Sequence, residues 1–244
     1  MWADDFLAQQ RVLVITPHAD DETYGCAGSI ARIKSLGGEV YVVLATAGNL
    51  VHFGEDGAGA QTKLVSLEKR LSEFESVMRL LKVDDWDVLF TDSETHLALD
   101  TVPRKELIRL LENEGRLSIN KVRPTMIMIP AVSYNQDHEA LFHACITATR
   151  PGVPEQRHLV PFVLSYDNTS LFWNFDHERF NPNFYIDVSE FLSTKIQAMR
   201  MHTSQVRPPL YHGSPESLEM ATQLRGREVS VEAAEGFVVH RALL

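Results

Sequence analysis

The sequence predicts an α/β fold: a Rossmann-like, mostly parallel sheet with helices on both faces. Three observations predict it. Arg11–Thr16 (RVLVIT) and Thr125–Pro130 (TMIMIP) are continuous apolar runs, as expected of strands buried on both faces. Stretches with helical spacing lie between such runs. The separations are long enough to require crossover connections, which make neighbouring strands parallel.

Each element can be justified in order. After Arg11–Thr16, Asp20–Leu36 has helical spacing and ends at Gly37-Gly38, a suitable C-cap. Glu39–Ala45 (EVYVVLA) is a second strand. Asn49–Gln61 is rich in Gly and Ala, lacks periodicity and reads as a long loop of the kind that often covers a site. Lys63–Leu81 is a helix with apolar residues at 64, 67, 71, 74, 77, 78 and 81. Asp87–Phe90 is a third strand, and Pro103–Asn113 a helix with Pro in its first turn. The fourth strand, Thr125–Pro130, leads to a helix over Asp137–Thr149 that stops before Pro151. Leu159–Ser165 and Asn183–Val188 read as late strands, and Ser189–His202 as a helix with Ser as candidate N-cap. From Arg207 the tail reads as irregular, apart from helix at Pro215–Leu224. No composition shift or repeat divides the chain, so one domain is expected over 1–244, with the motif-bearing core at about 10–206 and an extension at 207–244.

Composition narrows the function. In 244 residues, 44% are hydrophobic and 23% charged, which excludes disordered, collagenous and coiled-coil classes. Against 33 Asp and Glu stand 23 Lys and Arg, a net charge of −10, so nucleic acid and anionic membrane are not expected partners. The start MWADDFLAQQRVLVITP lacks the basic region of a secretory signal, and no apolar run approaches the ~20 residues of a membrane helix. Cytoplasmic location and no membrane span are the expectations, with homo-oligomerisation open. The two cysteines, Cys26 and Cys145, form no ligand pattern and read as packing residues. A metal site would therefore be made of His, Asp and Glu.

Open parallel sheets bind ligands beyond the carboxyl ends of their strands. The first strand ends in Pro17-His18-Ala19-Asp20-Asp21-Glu22, one imidazole and three carboxylates in five residues. Acids suit a helix start on their own account, but the His adds nothing to capping, and a divalent cation would offset the crowded negative charge. The fourth strand leads to Asn135-Gln136-Asp137-His138, a second His at a second strand end. His18, Asp21 and His138 could converge there as three protein ligands with a fourth position open, the pattern of catalytic zinc. A helix start with surface His remains the plainer alternative.

These residues resemble a family. PHADDE is similar to the P-H-P-D-D-E signature of the LmbE/PIG-L-like zinc-dependent de-N-acetylases. Arg70 and Glu73 resemble its Arg-x-x-Glu helix, Asp92 its Asp after the third strand, and Asn135–His138 its H-P-D-H. Lys195 through His202-Thr203-Ser204-Gln205 resembles its late Lys…His-x-Ser-Gln segment. The resemblance implies zinc (or iron) on His18, Asp21 and His138. It implies Asp20 as general base, Arg70 and Asp92 as substrate contacts, and Glu22 and Asp137 as groups that orient ligands. His202 would lie near the reacting centre, stabilising an oxyanion, relaying a proton or supporting the site. The reaction implied is hydrolysis of an N-acyl, typically N-acetyl, group on a small-molecule amino-sugar conjugate. In it Asp20 takes a proton from the attacking water and returns it to the leaving amine.

Two residues depart from the pattern. Ala19 replaces a Pro and removes no reactive group. Asn135 replaces the first His of H-P-D-H; it can donate to an oxyanion but cannot carry charge or transfer a proton. A metal-binding descendant with a binding or regulatory role is the alternative function. Other signals are weaker. Gly25-x-x-Gly28 lacks the Lys of a phosphate loop and reads as helix–sheet packing, and no G-x-S-x-G elbow exists. His52 could reach substrate from the long loop, while His96 and the other histidines read as surface or core residues. The Phe172, Trp173 and Phe175 cluster reads as a core contact or a sugar platform.

Overall fold

A computed structural model describes residues 2–53, 62–153, 155–168 and 180–244. Helix α1 (Trp2–Ala8) precedes strand β1 (Arg11–Thr16), helix α2 (Asp21–Ser35) and strand β2 (Glu39–Thr46). Strands β3 (Leu50–Phe53) and β4 (Thr62–Val65) lead into α3 (Leu67–Leu80) and β5 (Asp85–Phe90). Helices α4 (Arg104–Arg109) and α5 (Ile119–Val122) precede β6 (Met126–Pro130), α6 (Gln136–Ala148) and β7 (Phe162–Tyr166). Strand β8 (Phe184–Asp187), helices α7 (Leu192–Met201) and α8 (Pro215–Glu228) and strand β9 (Ala234–Ala242) complete the order.

The main sheet has seven strands in the order β5-β2-β1-β6-β7-β9-β8. β1 pairs in parallel with β2, Val12 opposite Val40, and with β6, Val12 opposite Met126. The parallel part runs from β5 to β7, and β9 pairs antiparallel with both β7 and β8. Alternation along β1 feeds two cores. Val12 and Val14 pack with residues of α2, α3 and α7 on one face. Leu13 and Ile15 pack with α4 and α6 residues on the other. The chain leaves β1 toward β2 on one side and later returns to β6 on the other, so the switch in strand order lies between β1 and β6. That crevice is where an open α/β sheet binds its ligand.

The structure corrects the sequence reading at three places. The stretch expected as a loop over Asn49–Gln61 begins in a strand, because β3 pairs antiparallel with β4, Leu50 opposite Val65. The β-favouring Val, Phe and Thr at these ends outweigh the Gly-rich middle that dominates the window. The helix expected from Lys63 starts at Leu67 instead, with Ser66 accepting the Lys69 N–H as its cap. The tail beyond 207 is not an irregular appendage, since β9 is inserted between β7 and β8. The side chain of His52 and the Phe172, Trp173 and Phe175 cluster lie outside the described residues.

Helix α2 lies very close to its neighbours. A Cβ on Gly25 would fall 2.1 Å from Tyr166 Cδ2, and one on Gly28 2.8 Å from Val188 Cβ. That approach admits a buried ion pair. Glu235 of β9 accepts the Gly28 and Ser29 N–H groups at 2.9 and 2.7 Å. Lys195 of α7 pairs with Glu235 and donates to Tyr24 O at 2.7 Å. Among the described residues, no helix is long and apolar enough to cross a membrane.

Candidate metal centre and pocket

β1 brings the chain to the carboxyl edge of the sheet at Thr16, and residues 17–20 cross that edge before α2 begins. The turn is tied to itself. The Thr16 hydroxyl donates to His18 O at 3.0 Å, and His18 N–H donates to Asp21 Oδ2 at 3.1 Å. Asp20 occupies the N-cap position at φ 137° and makes no side-chain cap bond. For a residue other than glycine this backbone costs about 1–3 kcal/mol. Its carboxyl is thereby left for the cavity it lines. Across the crevice, Asn135 caps α6 by accepting the Asp137 N–H at 2.9 Å. The first turn of α6 then carries Asp137 and His138 inward, both buried.

His18 Nδ1 and His138 Nε2 each lie 3.2 Å from the same atom, Asp21 Oδ2. One ligand atom from each of these three buried residues lies within 4.8 Å of the others. Two imidazole nitrogens and a carboxylate oxygen suit zinc, with iron the other candidate. The surroundings fit the same purpose. His18 Nε2 is 2.8 Å from Asp137 Oδ2, which fixes the tautomer that points Nδ1 at the shared centre. The other Asp137 oxygen accepts the Leu99 N–H at 2.9 Å. Asn168 Nδ2 donates to Asp21 Oδ1.

The electrostatics favour a cation here. Burial opposes ionisation of Asp21, yet His138 and His18 hold its carboxyl well below the usual range. Burial likewise opposes charge on His18, but Asp137 and Asp21 raise its imidazole to about 9. A place that favours a protonated imidazole this strongly also favours a metal ion, for which the proton is the competitor. Asp20 behaves oppositely to Asp21. Burial and the adjacent Asp21 charge push its carboxyl up to about 7, against the pull of Arg70 and His202.

A cavity of about 280 Å³ opens over the three candidate ligands, and Asp20 and Asn135 are in its wall. The geometry does not bring the other expected groups into that wall. His202 is buried, with Nε2 2.9 Å from Glu22 Oε1; burial opposes its charge, but Glu22, Asp20 and Glu73 together raise its pKa. Arg70, expected to touch substrate, is only 3% exposed and donates to Ala19 O at 3.2 Å and to His96 Nε2 at 3.3 Å. Asp92, expected in the same role, is exposed and accepts the Thr95 N–H at 2.7 Å. Conversely, Tyr24, Asn168, Arg207 and His212 line the cavity without having been singled out by sequence, and Gln205, marked there only as the end of the late motif, lines it too. For Asn168 a signal existed: it follows the end of β7, the next parallel strand.

Comparison with known proteins places this geometry. A family model described as PIG-L, GlcNAc-PI de-N-acetylase, matches residues 13–149, a span that holds all three candidate ligands. The chain is 25% identical over 205 residues to a diacetylchitobiose deacetylase of Thermococcus kodakarensis, covering 80% of this chain and 70% of that one. Among solved structures, the N,N'-diacetylchitobiose deacetylase of Pyrococcus horikoshii superposes with a TM-score of 0.67 at 21% identity, over 94% of this chain and 83% of that one. A 4-carboxy-2-hydroxymuconate hydratase of Pseudomonas putida KT2440 superposes equally well, TM-score 0.67 at 18% identity, over 96% and 98% of the two chains. The fold thus carries more than one reaction, and the family is decided by the matched residues: the chain belongs to the PIG-L family of GlcNAc-PI de-N-acetylase-like proteins.

Proposed function

We propose that this protein is a metal-dependent amide hydrolase that removes an N-acetyl group from an amino-sugar conjugate. The observation that carries the reading is the convergence of His18 Nδ1, Asp21 Oδ2 and His138 Nε2 at one wall of a cavity that Asp20 and Asn135 also line. Family membership and a relative named as a diacetylchitobiose deacetylase support the bond and the substrate class.

His18, Asp21 and His138 would hold zinc, with iron as the second candidate. A bound divalent ion lowers the pKa of water toward about 7 and polarises an acyl carbonyl. Asp20 takes the proton of the attacking water as its oxygen bonds to the acyl carbon, and returns it to the amine as the C–N bond breaks. Asn135 orients the acyl oxygen. Its Oδ1 is committed to the Asp137 N–H, so its Nδ2 is the donor that remains. Asp137 and Asn168 hold the ligands in orientation.

The test joins metal analysis to amine release from a panel of N-acetylglucosamine conjugates. About one ion per chain and stoichiometric amine and acetate are expected. Asp20→Asn should keep the ion and lose about 10²–10⁴-fold in kcat. Wild-type turnover by metal-loaded Asp20→Asn would overturn the assignment of the base, and absence of amine release across the panel would overturn the hydrolase reading.

A further inference from the structure

Asp20 stands at φ 137° in a turn with no glycine, so something must hold it there. The torsion is set by the peptide joining Ala19 to Asp20, and both polar atoms of that peptide have buried partners. Arg70 Nη2 donates to Ala19 O at 3.2 Å, and Asp20 N–H donates to Glu22 Oε2 at 3.0 Å. A guanidinium grips one edge of the peptide plane and a carboxylate the other. A flip of the plane would point a carbonyl at Glu22 and an N–H at Arg70, two like-with-like contacts in a buried place.

Each jaw is itself aimed. Arginine only donates, so His96 Nε2, 3.3 Å from Arg70 Nη1, accepts and bears no proton. His96 Nδ1 therefore carries the proton and donates to Thr46 Oγ1 at 3.1 Å, and the Thr46 hydroxyl donates to Pro17 O at 3.3 Å. On the other side, Glu22 Oε1 accepts from His202 Nε2 at 2.9 Å and from the Thr23 hydroxyl at 3.0 Å. Arg70, Glu22, His96 and His202 are all buried.

From this geometry we infer that Arg70 and Glu22, aimed by His96 and His202, form a clamp on the 19–20 peptide that presents the Asp20 carboxyl to the cavity. The inference rests on Asp20 being the base of the proposed reaction. It makes Arg70, His96 and His202 positioning residues, none of which needs to touch substrate.

Two arms test it. Crystal structures of Arg70→Ala and Glu22→Ala should show the 19–20 peptide turned and φ of Asp20 outside the positive region. A φ that stays near the wild-type value in both variants overturns the clamp. In kinetics, Arg70→Ala should keep about one metal ion per chain, change KM little and lower kcat by about 10²-fold, the scale of an ångström-level misplacement. Arg70→Lys, which offers one nitrogen where arginine uses two, should fall between and serves if the alanine variant does not fold. In an Asp20→Asn background the Arg70 substitution should cost nothing further, because the group it positions is gone. Losses that multiply in the double variant overturn the proposal, since a general structural role would persist without the carboxyl. Full activity of Asp20→Asn alone would instead sink the underlying reading, and the crystallographic arm would still decide the clamp.

Discussion

The two ends of the cavity are built differently. Its floor, His18, Asp21 and His138, comes from two adjacent parallel strands and the first turns of α2 and α6, within the stretch matched by the family model. Its outer wall, Gln205, Arg207 and His212, comes from later segments outside that stretch. The floor is buried, and its ligands are themselves bonded by Asp137 and Asn168. The wall is partly exposed, with His212 at the surface. With the proposed function, the difference teaches a division of labour: the groups assigned to bond breaking sit on rigid strand ends, and those placed to meet the rest of a substrate sit on connecting segments free to vary.

Three substitutions set floor against wall. His138→Ala should cost most. Loss of a ligand removes the metal's several kcal/mol of stabilisation, about 10³-fold or more in kcat/KM. Metal analysis should show a substoichiometric ion, and chelation of the wild type followed by zinc addition should reproduce the loss and its recovery. Next comes Asp137→Ala, which leaves all three ligands but frees the His18 ring. Metal affinity should fall about 10–100-fold by competition titration. Unchanged affinity would mean that the 17–20 turn alone fixes the His18 ring. Arg207→Ala should cost least, about 10-fold in kcat/KM and carried by KM, the scale of one lost bond to a charged group. A fall in kcat with KM preserved would move Arg207 from the wall to the reacting centre.

The same contrast explains what was legible in the sequence. The parallel strands are long apolar runs, and their carboxyl ends mark the turn at 17–20 and the start of α6. His18, Asp21 and His138 could be singled out because each adds a ligand type at a strand end. β9 was not legible. Its residues AEGFVVHRA include a Gly, carry charge and alternate only partly, because the strand leaves the core halfway along. Arg70 was legible as a cation in the right helix, but sequence does not say which side of the turn it faces. His96 carries no local pattern, since its partners Thr46 and Arg70 are distant in the chain and meet only in the fold. The wall residues Gln205, Arg207 and His212 belong to an aperiodic segment, where no rule of spacing tells an inward side chain from an outward one.

The ion pair of Lys195 and Glu235 bears on the order in which the protein is made. Two amides inside α2 are satisfied by a carboxylate from the last strand, not by α2 alone. Part of the bonding of the helix that starts with Asp21 therefore comes from β9, which lies more than two hundred residues downstream. Metal capture should wait until β9 has left the ribosome. A chain ending at Glu232 would retain every ligand and Asp20, yet should emerge without its ion. Restoring the missing strand as a separate peptide, and watching zinc uptake follow its docking, would show that β9 licenses the first turn of α2.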